Sequence, residues 1–216
     1  MRVLVDDQNV RVSTPTIAAA LAAARAEAES RGRVVIEATL DGVAIPDEAL
    51  ADPPTDEFVG SEVRFGTADP GELVGSTLRG VAEALDDATR EQAMAAEKIQ
   101  RGEMSLALNH VAAALAVWDQ VRTAVINGTA LLGLSVGSLE VRSAPGAGGQ
   151  ETIISVDGAV RSLAERLAEI KRAFTAQDWS ALSDALAYDM QEQAAAWREI
   201  LTGLAEQVES GVRARR

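Results

Sequence analysis

All six prolines of this 216-residue chain fall at Pro15, Pro46, Pro53, Pro54, Pro70 and Pro145, leaving Gly71 to Ala144 and Gly146 to Arg216 without one. Proline removes a backbone donor and clashes inside a helix. Two long proline-free stretches rich in Ala, Leu, Glu and Arg therefore predict long helices. The crowding of proline into the first 70 residues predicts a different kind of structure there. The expected fold is α+β, with a small mixed module over 1–68 and a helical body over 69–216.

The body divides by its apolar spacing. Asp69, Pro70 and Glu72 make an N-cap, a first-turn proline and a capping-box acid. Val74, Leu78, Val81, Leu85, Ala88, Gln92, Ala95 and Ile99 then recur at alternating spacings of 4 and 3, a heptad seam. Arg101-Gly102 ends it, and Met104, Leu108, Val111, Leu115 and Trp118 open a second seam almost at once. So short a connection predicts an antiparallel neighbour. Further on, Val160, Leu163, Leu167, Ile170 and Phe174 precede Leu182, Leu186, Met190, Trp197, Leu201, Leu204 and Val208. The expectation is an antiparallel four-helix bundle with helices at 69–101, 103–134, 158–175 and 178–210. Between the hairpins, an insert over 137–157 carries two short strand-like runs around Ala144 to Gln150, read as a β-flap. The helix corners echo one another in Glu103/Asp178, Met104/Trp179 and Ser105/Ser180, as an old hairpin duplication or shared capping chemistry would produce.

The first module reads as ββαββ. Val3 and Val5 alternate with Arg2, Leu4 and Asp6, Asp6 to Asn9 offer a turn, and Val10 and Val12 follow. Thr14 is placed to cap a helix beginning at Pro15, with Ile17, Leu21, Ala24 and Ala28 on one face and Gly32 as its stop. Val34, Ile36, Ala38 and Leu40 line one side of a strand, Asp41-Gly42 is a strong hairpin turn, and Val63 and Phe65 are the inward pair of a last strand. Over residues 2–67 this order resembles the β-grasp fold of ubiquitin-like domains. The resemblance implies a binding or assembly module. Ubiquitin-like modifiers and sulfur carriers end in a free Gly-Gly tail, whereas here Thr67 runs through Ala68 into Asp69-Pro70, so conjugation is not expected.

Charge and composition narrow the function. A net charge of −13 opposes a phosphate-binding surface, so no nucleic-acid partner is expected, and Arg213, Arg215 and Arg216 read as a helix C-terminus. There is no cysteine, and hence no disulfide or thiolate metal site. The start of the chain carries no secretion signal and no 18-residue apolar run occurs, so no membrane association and a cytoplasmic location are expected. Only Lys98 and Lys171 are lysines among 20 basic residues, which with the alanine content fits a GC-rich bacterial coding sequence.

No catalytic, cofactor or metal site is expected. Gly146 to Gly149 lacks the Lys-Ser or Lys-Thr of a phosphate loop. His110 is the one histidine, so a di-iron carboxylate site with two Glu-x-x-His pairs cannot be built, and His110 reads as half-buried or at an interface. Gln92 and Arg122 interrupt apolar seams, as register-fixing or outward-turning residues do. Trp118, Trp179 and Trp197 sit at seam positions. The expected function is non-enzymatic, a bacterial adaptor, scaffold or chaperone-like protein that binds a protein partner, with a homo-oligomer as one form. The alternative is an enzyme or small-molecule sensor with a site between head and body, using acids such as Asp69, Glu72, Asp86 and Asp87.

Overall fold

Two aspartate turns set the register of the first unit. In the computed structural model, which describes residues 2–55, 60–142 and 153–213, Asp6 and Asp7 both have positive φ (46° and 64°), as do Asp41 and Gly42 (46° and 85°). That is the conformation of the tight turn that matches strand twist. The first joins β1 (Arg2–Val5) to β2 (Gln8–Val10) and the second joins β3 (Val34–Leu40) to β4 (Val43–Ala44), both antiparallel. A fifth strand, β5 (Glu62–Ala68), lies between β1 and β3, parallel to β1 and antiparallel to β3, which gives the order β2-β1-β5-β3-β4. Helix α1 (Ile17–Ser30) packs Ala20, Leu21 and Ala24 against Val3, Val5, Ala38, Val63 and Phe65.

Three expectations for this unit need correction. The α1 cap is Thr16, not Thr14: its extended backbone lets Oγ1 accept the Ala19 N–H at 3.1 Å, so the helix begins two residues beyond Pro15. Ile36 does not share a face with Ala38. The β3–β5 register shifts between Val35 and Glu37, and this irregularity leaves Ile36 exposed while Val35 packs on the core. Leu4 is buried although the alternation of β1 assigns it the outer face. In the proline-containing segment a short helix, α2 (Asp47–Ala51), follows Pro46.

Carboxylates lock the strand ends. Asp41 Oδ1 accepts the Ser61 hydroxyl at 2.5 Å and the Glu62 N–H at 2.8 Å, and these bonds hold its carboxyl below the usual range. At Asp6, burial works against ionisation. Hydrogen bonds from the Thr67 hydroxyl and N–H, with Arg33 and Arg31 nearby, outweigh it and bring the pKa down.

The division between units falls at Leu73/Val74, inside α3 (Pro70–Gln100), whose first turn is capped by Asp69 Oδ1 accepting the Gly71 N–H at 2.8 Å. The second unit continues with α4 (Met104–Leu131), a 3₁₀ turn at Val136–Ser138, the paired strands β6 (Glu140–Arg142) and β7 (Ile153–Ser155), and α5 (Val156–Ala176). The helix expected over 178–210 is α6 (Trp179–Asp184), a π-helical turn at Ala185–Asp189, and α7 (Met190–Arg213). Gly133, at φ 65°, stops α4 three residues early: its N–H bonds Ala130 O and that of Leu134 bonds Thr129 O. The Ser155 hydroxyl caps Gly158 N–H, so α5 starts two residues sooner than expected. Gly146 to Gly149, Arg215 and Arg216 lie outside the described residues.

Side-chain pairs give the helix directions. Glu91 meets His110 and Lys98 meets Glu103, so α3 and α4 run antiparallel. Asp86 meets Arg198 and Arg79 meets Glu209, which sets α7 antiparallel to α3. Ser162 with Gln193, and Arg166 with Asp189, orient α5 against the last rod in the same way. Among the described residues, no helix is long and apolar enough to cross a membrane.

The α3 seam is buried as its spacing predicts except at Val81, which is only partly so, and it includes Gln92 at 1% exposure. Its Oε1 is buried and has no hydrogen-bond partner among the described residues. An unpaired buried carbonyl is destabilising, so Gln92→Leu is expected to raise the unfolding free energy by about 1–2 kcal/mol. Urea unfolding monitored by circular dichroism measures it, and a loss above about 2 kcal/mol would show that the amide makes a specific bond that α3 needs.

Candidate binding groove

The side chains of α4 divide differently from the expected seam. Ala107, Val111, Ala114, Trp118, Val121, Val125 and Gly128, spaced alternately by 4 and 3, form the inward line. Met104 and Val111 stay partly buried, whereas Leu108 and Leu115 are exposed by 40% and 45%. Packing selects the small residues: at Gly128 a Cβ would lie 2.9 Å from Val74 Cγ1. Alanine and glycine on this line let α4 lie close to α3, and the leucines turn outward. Arg122 is then no interruption of a core seam. It is exposed and bonds Asp119, with Nη2 to Oδ1 at 2.7 Å.

Turning those residues outward creates a groove beside α5. Leu115, Asp119, Arg122 and Ile126 of α4 form one wall, Val160, Leu163, Ala164 and Leu167 of α5 the other, and Trp118, Val121 and Trp197 the base. Its volume is about 400 Å³, within the range of binding cavities. Val160, expected in the core, is exposed, and so is Phe174 further along α5, where its ring meets Trp179 edge-on at 6.2 Å. The Trp118 and Trp197 indole N–H groups are buried without a partner among the described residues. Asp119 and Arg122 are the only carboxylate and guanidinium in α4, and they neutralise each other at the rim. Apolar side chains fit such a surface; ionic substrates do not.

The remaining candidates are engaged in structure. The ring of His110 is half-buried with Nδ1 at 2.7 Å from Glu91 Oε2, tying α4 to α3. Asp69 caps α3, Asp86 pairs with Arg198 and Asp87 pairs with Arg90. Glu103 accepts from Lys98 rather than capping α4, and that bond draws its pKa down, while Asp178 does cap α6 through the Ala181 N–H. The two corners that look alike in sequence are thus built by different contacts. Strands β6 and β7 pair as the flap reading requires, with Val141 fully buried.

No protein-family model matches the chain, and neither curated proteins nor solved structures yield a significant match.

The α5 wall was the part of the groove the sequence reading missed. Its apolar line resembles any core seam, and the signal available lies instead in α4, which carries apolar residues on its outward line as well as its inward one. A helix of that kind is ordinarily surrounded.

Proposed function

We propose that this chain is a non-enzymatic protein-binding module, an adaptor, scaffold or chaperone-like protein of the bacterial cytoplasm, whose partner docks in the α4/α5 groove. The observation that carries this reading is the exposed apolar surface of Leu115, Ile126 and Val160 on either side of that groove. Contiguous apolar surface rimmed by polar groups marks interaction sites. An amphipathic helix laid in a groove uses such a surface without any chemistry. In this reading the first unit is a β-grasp domain: the parallel β1/β5 pair at the centre, flanked by two hairpins with α1 across one face, supports it. The second is an antiparallel four-helix bundle in which α6, the π-helical turn and α7 act as one rod. The net charge of −13 keeps the chain off nucleic acid.

Val160→Glu tests the reading. Val160 is 41% exposed, so the change should leave the melting temperature within a few degrees while placing a charge on the groove wall. Affinity capture from native lysate, quantified by mass spectrometry against the unmodified chain, should lose its specific proteins, further copies of this chain included. A capture profile that the substitution leaves intact overturns the groove as the binding surface.

A further inference from the structure

The outward line of α4 is self-complementary, and the geometry points to a second copy of this chain as the occupant of the groove, with α4 packed antiparallel on α4 about a two-fold axis. The inference rests on the groove being a protein-binding surface and names its partner. Leu108, Ala112, Leu115, Asp119, Arg122 and Ile126 follow one another at spacings of 4 and 3 on the exposed side of the helix, a heptad seam that no described residue covers. Around a two-fold axis perpendicular to a helix pair, residue numbers in contact sum to a constant, because such an interface uses the same patch twice. With the axis between Gln120 and Val121, Asp119 of one copy meets Arg122 of the other, and Arg122 meets Asp119. The same register brings Leu115 against Ile126 and Ala112 against Thr129. Opposite charges and apolar pairs fall into place together, and no other register near the centre of the helix pairs both.

The charge distribution agrees. Two chains of net charge −13 repel, so they meet most readily where the surface is neutral. The exposed line of α4 is neutral, its one carboxylate and one guanidinium three residues apart. Within one chain that pair is solvent-exposed and contributes little; across the axis the same two side chains make two bridges and fix the register. Ala112 in the seam and Ala116 and Ala130 beside it, all exposed, allow the helices to approach. Each α4 then covers its partner's groove, placing Leu115 and Ile126 over Val160, Leu163 and Leu167.

Sedimentation equilibrium of the pure full chain should give twice its 22.6 kDa mass. Asp119→Arg and Arg122→Asp each put like charges opposite one another in two symmetry-related layers, which should weaken self-association about 100-fold. Mixed in equal amounts, the two variants should form a heterodimer. The introduced arginine of one then faces the introduced aspartate of the other, and the native Arg122 of the first faces the native Asp119 of the second. Rescue in trans is not available to a residue that only supports its own chain. The chain has no cysteine, so Leu115→Cys mixed with Ile126→Cys should oxidise to a heterodimer. Leu115→Cys alone should not, because its two thiols would lie ~16 Å apart along the helices. A monomer at all concentrations to about 100 μM, a dimer indifferent to Asp119→Arg, or a Leu115→Cys homodisulfide would each overturn the proposal. A monomer whose lysate capture still depends on Val160 removes the second copy alone and leaves the protein-binding reading standing.

Discussion

Leu85→Ala is expected to lower the unfolding free energy by about 2–5 kcal/mol. Leu85 has no exposed surface and lies in the cluster that includes Trp118, Met190 and Trp197, drawn from α3, α4 and α7. Truncation removes the transfer free energy of the side chain and leaves a cavity that close-packed neighbours fill only in part. Against a typical total of about 5–15 kcal/mol this is a large share. Urea unfolding followed by tryptophan fluorescence suits the measurement, because all three tryptophans lie in the helical body and two of them in this cluster. The midpoint should fall with the slope unchanged. Leu108→Ala is the control. The sequence places both leucines on seams, but Leu108 is 40% exposed in the single chain, so with both truncations made in the Asp119→Arg background, where self-association is weakened, the Leu108 change should stay within about 0.5 kcal/mol. Equal losses at the two sites would mean that α4 is rotated relative to the arrangement described.

That contrast also shows what was legible in the sequence. The α3 seam was readable because its apolar residues are large and its opposite face is charged: Arg79, Glu83, Asp86, Asp87 and Arg90 leave one side for burial. On α4 that cue is missing. Leucines at 108 and 115 and alanines at 107 and 114 compete for the inward position, and spacing cannot rank them. Close approach to α3 does, since Gly128 faces Val74 with no room for a side chain. The same limit hid the groove, which exists only because the smaller line won. In the first unit the Asp41-Gly42 turn and the Val63/Phe65 pair were plain from local chemistry, whereas the first turn is tighter than Asp6 to Asn9, with Gln8 and Asn9 already paired in β2 and Val12 beyond its end. Ile36 was not. A strand register shift depends on pairing with β5, nearly thirty residues away, and nothing local to Val34–Leu40 announces it.

Gly203→Ala sets two rules against each other, and packing should win. Alanine is favoured over glycine in a helix interior by about 1 kcal/mol, and Gly203 lies well inside α7. Propensity alone predicts a gain. A Cβ at this position, however, would overlap Val141 Cγ1, and Val141 is fully buried on β6. The strand is also held from outside, as Gln207 Nε2 donates to Glu140 O at 3.0 Å. Either β6 shifts or α7 does, and overpacking of this kind costs about 1–3 kcal/mol. The net expectation is a loss, with β6 loosened from the helix. Val141→Ala deletes the atom responsible while keeping a Cβ. In that background the Gly203→Ala step should reverse sign and become neutral or stabilising, giving a coupling of about 1–3 kcal/mol in a double-mutant cycle. Additive effects would show that β6 does not rest on Gly203, and the flap would then be a strand pair attached to the body rather than part of its core.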